Sequence, residues 1–236
     1  MTVYPAIDLR GGRCVRLLQG AFERETVYGD DPVAVARGFE AAGARWLHVV
    51  DLDRAAGRGD NARVMSALLS TPGVRVQLGG ALTDPAAIFA GLAAGAARVV
   101  LGPRGALDQS LVAELLARHG PERIAVAIDV RDGRVADRAS GAERDATPAE
   151  LGTRLAAAGV RTVVYADAAR DGALAGPDVD GARAIADLGL DVIVSGGVSS
   201  LDDLRRAREA GLAGAVVGRA LLENRFTLAE ALACAG

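Results

Sequence analysis

Lysine is absent from the 236 residues, and all 27 basic side chains are arginine. That excludes a Schiff-base lysine and a P-loop lysine from the chemistry. Cysteine occurs twice, at Cys14 and Cys234, too sparsely for a disulfide framework or a cysteine-rich zinc site, so both are expected to be inert thiols suited to a reducing cytosol. Histidine also occurs twice, at His48 and His119, which leaves carboxylates as the expected proton carriers. Aromatic residues make up 3% of the chain and the net charge is −3. With neither a stacking platform nor a basic stripe, no nucleic-acid partner is expected. No apolar run approaches the roughly 18 residues of a membrane span, and the opening M-T-V-Y-P leads into a strand without the blocks of a signal peptide. A soluble cytoplasmic protein without a membrane partner is the expectation.

Half of the residues are apolar, and they recur in short runs rich in Val, Ile and Leu, each followed by an alanine-rich segment with helical spacing. The pattern predicts strands near 3–8, 46–51, 74–79, 98–101, 124–129, 162–167, 191–195 and 214–217. Helices are predicted near 32–43, 61–71, 84–95, 108–119, 147–158, 179–188, 200–211 and 220–233, several closing on a glycine such as Gly43, Gly95 or Gly211. Eight βα units in this length predict a single (β/α)₈ TIM barrel over 1–236 rather than an open sheet. The longest non-helical segments, 9–31 and 130–146, are expected to be functional loops.

An internal repeat divides the chain into half-barrels of about 1–121 and 122–236. A-I-D-L-R-G-G-R at 6–13 returns as A-I-D-V-R-D-G-R at 127–134, pairing Asp8 with Asp129, and Asp51 pairs with Asp167 in the next unit. Gly79-Gly80 with Gly102 corresponds to Gly196-Gly197 with Gly218. Active sites of this fold lie at the C-terminal ends of the strands, so Asp8 and Asp129 are the candidate general base and general acid. The glycines after strands 7 and 8, with Ser195 and Arg219 beside them, have the position of a phosphate site, where backbone N–H groups approach an anion. Gly79, Gly80 and Gly102 are the candidate second phosphate site, altered by Ala81 and Pro103. The glycine-rich segment 169–178, with Arg170, Asp171 and Gly172, is expected to be a lid, with Asp171 a candidate catalytic residue and Asp167 and Gly172 candidate substrate contacts. Arg16 and Gln19 could reach an anionic or amide group. His48 is expected to be a hydrogen-bonded barrel residue, and His119 to complement a helix dipole.

These stretches resemble the phosphoribosyl isomerases of histidine biosynthesis, the ProFAR isomerases, along essentially the whole chain. The matching runs include P-A-I-D-L-R-G-G-R-C-V-R-L-L-Q-G, L-H-V-V-D-L-D, R-D-G-A-L-A-G-P and V-V-G-R-A-L-L-E-N-R-F-T-L. The resemblance implies an Amadori rearrangement of an N-linked aldose phosphate, with Asp8 taking the C2 proton and Asp129 assisting ring opening. It implies no cofactor and no metal. A small phosphorylated sugar is the implied partner, and a monomer is expected. The chain departs from the family at Ala81, Thr83, Pro103, Ala142 and Ala166, where a glycine, an arginine, hydroxyl donors and a tryptophan are usual. Two alternatives follow from those losses: an isomerase preferring a smaller monophosphate such as phosphoribosyl anthranilate, and a phosphate-binding barrel with little activity.

Overall fold

A computed structural model describes residues 1–82, 84–136 and 146–236, with the backbone alone at Ala81, Pro103 and Arg104. Eight parallel strands form the wall: β1 (Thr2–Arg10), β2 (Trp46–Asp51), β3 (Arg75–Leu82), β4 (Arg98–Leu101), β5 (Ile124–Arg131), β6 (Thr162–Asp167), β7 (Asp191–Ser195) and β8 (Gly214–Val217). Each pairs with the next, and β8 returns to β1 with Tyr4 opposite Val216, so the ring is closed into a (β/α)₈ barrel. Closure leaves the eight strands no unpaired edge.

Side chains alternate across each strand, and the two faces have different partners. The outward set, including Ile7, Val49, Val99 and Val163, packs with the surrounding helices in one continuous core. The inward set is a separate small cluster of Tyr4, Ala6, Trp46, Val100, Ala125, Val164, Ile193 and Val216. One step further toward the C-terminal ends of β1, β5 and β7, the same inward parity reaches Asp8, Asp129 and Ser195. Having only arginine as a cation shows at the floor, where Arg75 and Arg98 stack on Trp46 with centroid distances of 4.4 and 5.0 Å.

Most predicted helices begin one residue late because the first predicted residue is a cap. The side chains of Asp84, Asp108, Thr147 and Ser200 sit just before their helices and accept from first-turn N–H groups, and Pro85 and Pro148 occupy first-turn positions. Gly43, Gly95, Gly120, Gly159, Gly189 and Gly211 all have positive φ at the helix ends. Two expectations are corrected. The helix predicted at 220–233 is two, Arg219–Leu222 and Leu228–Ala235, because Thr227 and Glu230 form a second capping box that starts the chain afresh. The segment after β1 is an antiparallel hairpin, Arg13–Leu18 and Ala21–Gly29. Its two-residue turn is Gln19-Gly20, both with positive φ, which is the hairpin turn that matches strand twist. Burial pushes the Cys14 thiol in this hairpin up to about 11, which keeps it unreactive.

The Tyr165 hydroxyl donates to Asp178 at 2.7 Å, and Asp178 caps the helix Val179–Ala186 by accepting from Gly181 N–H. A methyl group on Gly181 would collide with both the Asp178 carboxylate and the Tyr165 hydroxyl. Gly181→Ala is therefore expected to destabilise the protein by about 1–3 kcal/mol, the cost of an unsatisfied buried polar group and a lost cap, measured as a lower denaturant midpoint with an unchanged m-value.

Candidate active site

Asp8 and Asp129 end the visible interior of opposite walls. β1 and β5 are four strands apart in the ring of eight, and the two carboxylates are 9% and 8% exposed. Their neighbours differ. Asp8 lies opposite Val50 of β2 and receives Arg16 Nη1 at 2.8 Å. Asp129 lies opposite Ala166 of β6, whose methyl group is buried.

Arg16 comes from the first hairpin strand, whose pairing with β1 places its residues over the barrel mouth. Its Nη2 donates to the Ala6 carbonyl at 3.0 Å, while its buried Nε has no hydrogen-bond partner among the described residues. The guanidinium lies directly against the α-carbon of Gly218, in space that any side chain there would fill. One arginine thus touches both the aspartate of β1 and the glycine after β8.

Arg16, Asp171, Gly172, Ser195, Gly196, Gly197, Gly218 and Arg219 surround one cleft of about 370 Å³, counting space open to solvent. Its walls are close backbone. Gly196 and Gly197 have φ of +87° and +85°; a β-carbon on Gly196 would approach the Asp167 carbonyl to 3.2 Å, and one on Gly197 would strike the Gly176 carbonyl. Only glycine fits both constraints at Gly197.

The segment after β6 is pinned over this cleft from three directions. Gln19 N–H donates to the Asp171 carbonyl at 3.0 Å, and Gln19 Nε2 donates to Ala169 O at 2.9 Å. Arg219 Nη1 donates to Gly172 O at 2.7 Å while its Nε donates to Glu223 at 2.6 Å. Tyr28, on the second hairpin strand, donates to the same Glu223 oxygen at 2.8 Å. The Arg219 hydrogen bond holds the Glu223 carboxyl below its usual range, and the Arg219 pKa rises, with the Glu223 hydrogen bond its largest cause. Asp167 supports the base of the segment by accepting from Ala169 N–H and Arg170 Nε.

The strand 3 and 4 glycines lie outside that cleft. Gly80 has φ of +106°, and a β-carbon there would come within 2.9 Å of the Asp51 backbone. Asp51 itself caps the turn after β2 and accepts from the Asn61 side chain at 2.7 Å. Gly102 caps the short helix Pro103–Ala106. Thr83 and Ala142 lie outside the described residues. His119 ends its helix as expected, but burial, then Arg123 and Arg118, lower its pKa, so it carries little charge to the dipole. Sequence reasoning missed Asn61, Tyr28 and Glu223; Asn61 and Tyr28 find partners 8 to 195 residues away, and Glu223 joins Tyr28 to Arg219. Among the described residues no group of His, Cys, Asp and Glu could hold a metal ion, and no helix is long and apolar enough to cross a membrane.

Replacing Glu223 with Gln is expected to loosen Arg219 and Tyr28 together, raising amide exchange across 169–178 with little change in overall stability. Acid should do the same with the sign that a lowered carboxyl pKa dictates: the latch holds at neutral pH and is lost as pH falls below the usual glutamate range. Exchange in this segment that is indifferent to both changes would show that the latch does not hold it.

Residues 2–227 match the model of the family described as histidine biosynthesis protein. Among curated relatives, the chain is 49% identical over 240 residues to a protein of Moorella thermoacetica named 1-(5-phosphoribosyl)-5-((5-phosphoribosylamino)methylideneamino) imidazole-4-carboxamide isomerase, covering all of this chain and 98% of that one. Proteins of the same name from Symbiobacterium thermophilum and Cereibacter sphaeroides are each 48% identical, over 243 and 235 residues, with coverage of 97% or more of either chain.

Proposed function

Because the chain belongs to the histidine biosynthesis protein family, we propose that it is a ProFAR isomerase, converting the N-linked aldose phosphate into its 1-amino-ketose isomer. The observation that carries this reading is the pair Asp8 and Asp129, inward at the C-terminal ends of opposite strands of a closed barrel. An Amadori rearrangement moves one proton off C2 and delivers another to the ring oxygen, and two separate carboxyl groups can serve those two atoms. Asp129 donates to the ring oxygen as the C1–O bond breaks. Asp8, presented as a carboxylate by Arg16 at 2.8 Å, takes the C2 proton. The enolamine that results tautomerises to the ketone, and no electron leaves the substrate.

Substrate binding is shared between halves. One phosphate fits the cleft of Gly196, Gly197 and Gly218, and the opposite phosphate goes toward Gly79, Gly80 and Gly102. A phosphate arriving at Gly218 meets Arg16 at once, and the same guanidinium then ties phosphate position to Asp8. The latched segment with Asp171 covers the reacting sugar and excludes water. The enzyme works in the cytoplasm as a monomer on a small phosphorylated sugar, without a cofactor. A monophosphate-preferring isomerase and a binding protein with little activity are not favoured, since the relatives that match end to end carry the isomerase name.

Purified protein is expected to convert ProFAR to its ribulosyl isomer in a spectrophotometric assay. Asp8→Asn and Asp129→Asn should each lower kcat by about 10²–10⁴-fold, the range for loss of a general acid or base, with Tm within a few degrees of the parent. Wild-type protein that binds ProFAR without converting it would sink the proposal. Ala166→Thr should raise kcat/KM, since a hydrogen bond gained in the reacting complex is worth about 1 kcal/mol, or about fivefold. A decrease would mean that the methyl group is fitted to this chain's own substrate geometry.

A further inference from the structure

Beneath the mouth, a buried chain of hydrogen bonds runs from the barrel floor to the C-terminal end of β3. Arg98, 8% exposed, donates through Nε to the Glu122 carbonyl at 3.1 Å and through Nη1 to Gln77 Oε1 at 3.1 Å. Gln77 is fully buried, and its Nε2 lies 3.0 Å from His48 Nδ1. His48 and Gln77 are direct partners in the register of β2 and β3. The ring leans toward the mouth, with Cε1 and Nε2 at 3.4 and 3.6 Å from the place a β-carbon on Gly79 would take.

Arginine can only donate, so the Gln77 oxygen must face Arg98 and its amide nitrogen must face His48. That nitrogen also can only donate, so His48 Nδ1 must accept. The ring proton therefore sits on Nε2, the atom beside Gly79. We propose that Gln77 and Arg98 are positioning residues, which fix His48 as the Nε2–H tautomer and so present a hydrogen-bond donor to a substrate oxygen at the β3 side of the mouth. The arrangement also gives Gly79 a reason of its own: its bare α-carbon leaves the room that the imidazole enters. A buried guanidinium needs several acceptors to offset its desolvation, and here one of those acceptors turns the amide that orients the ring. The donor role rests on the isomerase reading, whereas the tautomer does not.

The chain has only two histidines, so long-range ¹H–¹⁵N correlation spectra of histidine-labelled protein resolve His48, with His119→Asn as the assignment control. Wild-type protein without substrate is expected to show a protonated Nε2 and an unprotonated Nδ1. A ring carrying its proton on Nδ1, or averaging between the two, overturns the relay regardless of what the enzyme converts. Gln77→Glu places an acceptor against both neighbours and should move a proton onto Nδ1. In that variant kcat/KM for ProFAR should fall by about 10- to 100-fold, the range for a lost hydrogen bond to a charged or reacting group, with Tm nearly unchanged. His48→Gln, which keeps a donor at the ε position, should retain most of the activity that His48→Leu loses. A changed Nδ1 with unaltered kcat/KM, or equal losses in His48→Gln and His48→Leu, overturns the donor role. Failure of the isomerase reading appears separately, as wild-type protein inactive on ProFAR.

Discussion

The pairing of β8 with β1 is the contact on which the rest depends. In an open sheet the alternate side chains of a parallel strand would all need covering by helices. Once the ring is closed, half of them instead meet each other across a narrow interior, and that interior must be filled from below and left open above. Tyr4, Trp46 and Arg98 fill it at the floor. Asp8, Asp129, Ser195 and Gly218 stand at the rim, and they converge only because the strands that carry them are locked in register around one axis.

Closure also explains why arginine dominates the site. Arg16 reaches Asp8, the Ala6 carbonyl and the face of Gly218 at the same time, a planar fork serving several acceptors where an ammonium would serve a single point. Arg219 does likewise for Glu223 and the Gly172 carbonyl, and Arg98 for Gln77 and the Glu122 carbonyl. A chain without lysine has built its mouth, its latch and its floor from the same geometry.

The two halves repeat in strand order and in the placement of their aspartates, yet their surroundings have diverged. The β8 side is a defined cleft closed by the segment after β6, itself held by the hairpin after β1. The β3 side is occupied by an imidazole leaning against Gly79 and by a glycine pressed on the Asp51 backbone. Glycine pairs that look alike in sequence thus serve different neighbours. Glycine backbone and arginine line one end of the mouth, and a histidine ring leans toward the other.

By itself the sequence determined the eight βα units, the strand positions to within a few residues, the glycines that close several helices and the pairing of Asp8 with Asp129, because period-2 and period-3.6 burial and turn chemistry are local and leave local marks. It also marked Arg16 and the glycines of both loops, through their spacing from strand ends. Only the tertiary structure decided that Gln19 sits in a hairpin turn gripping the segment after β6, that Arg16 joins an aspartate to a glycine 210 positions beyond it, and that Arg98 orients His48 through Gln77. Those are contacts between elements distant along the chain. They arise from barrel closure and side-chain reach, and no periodicity or spacing along a single segment encodes which acceptor an arginine will find across the ring.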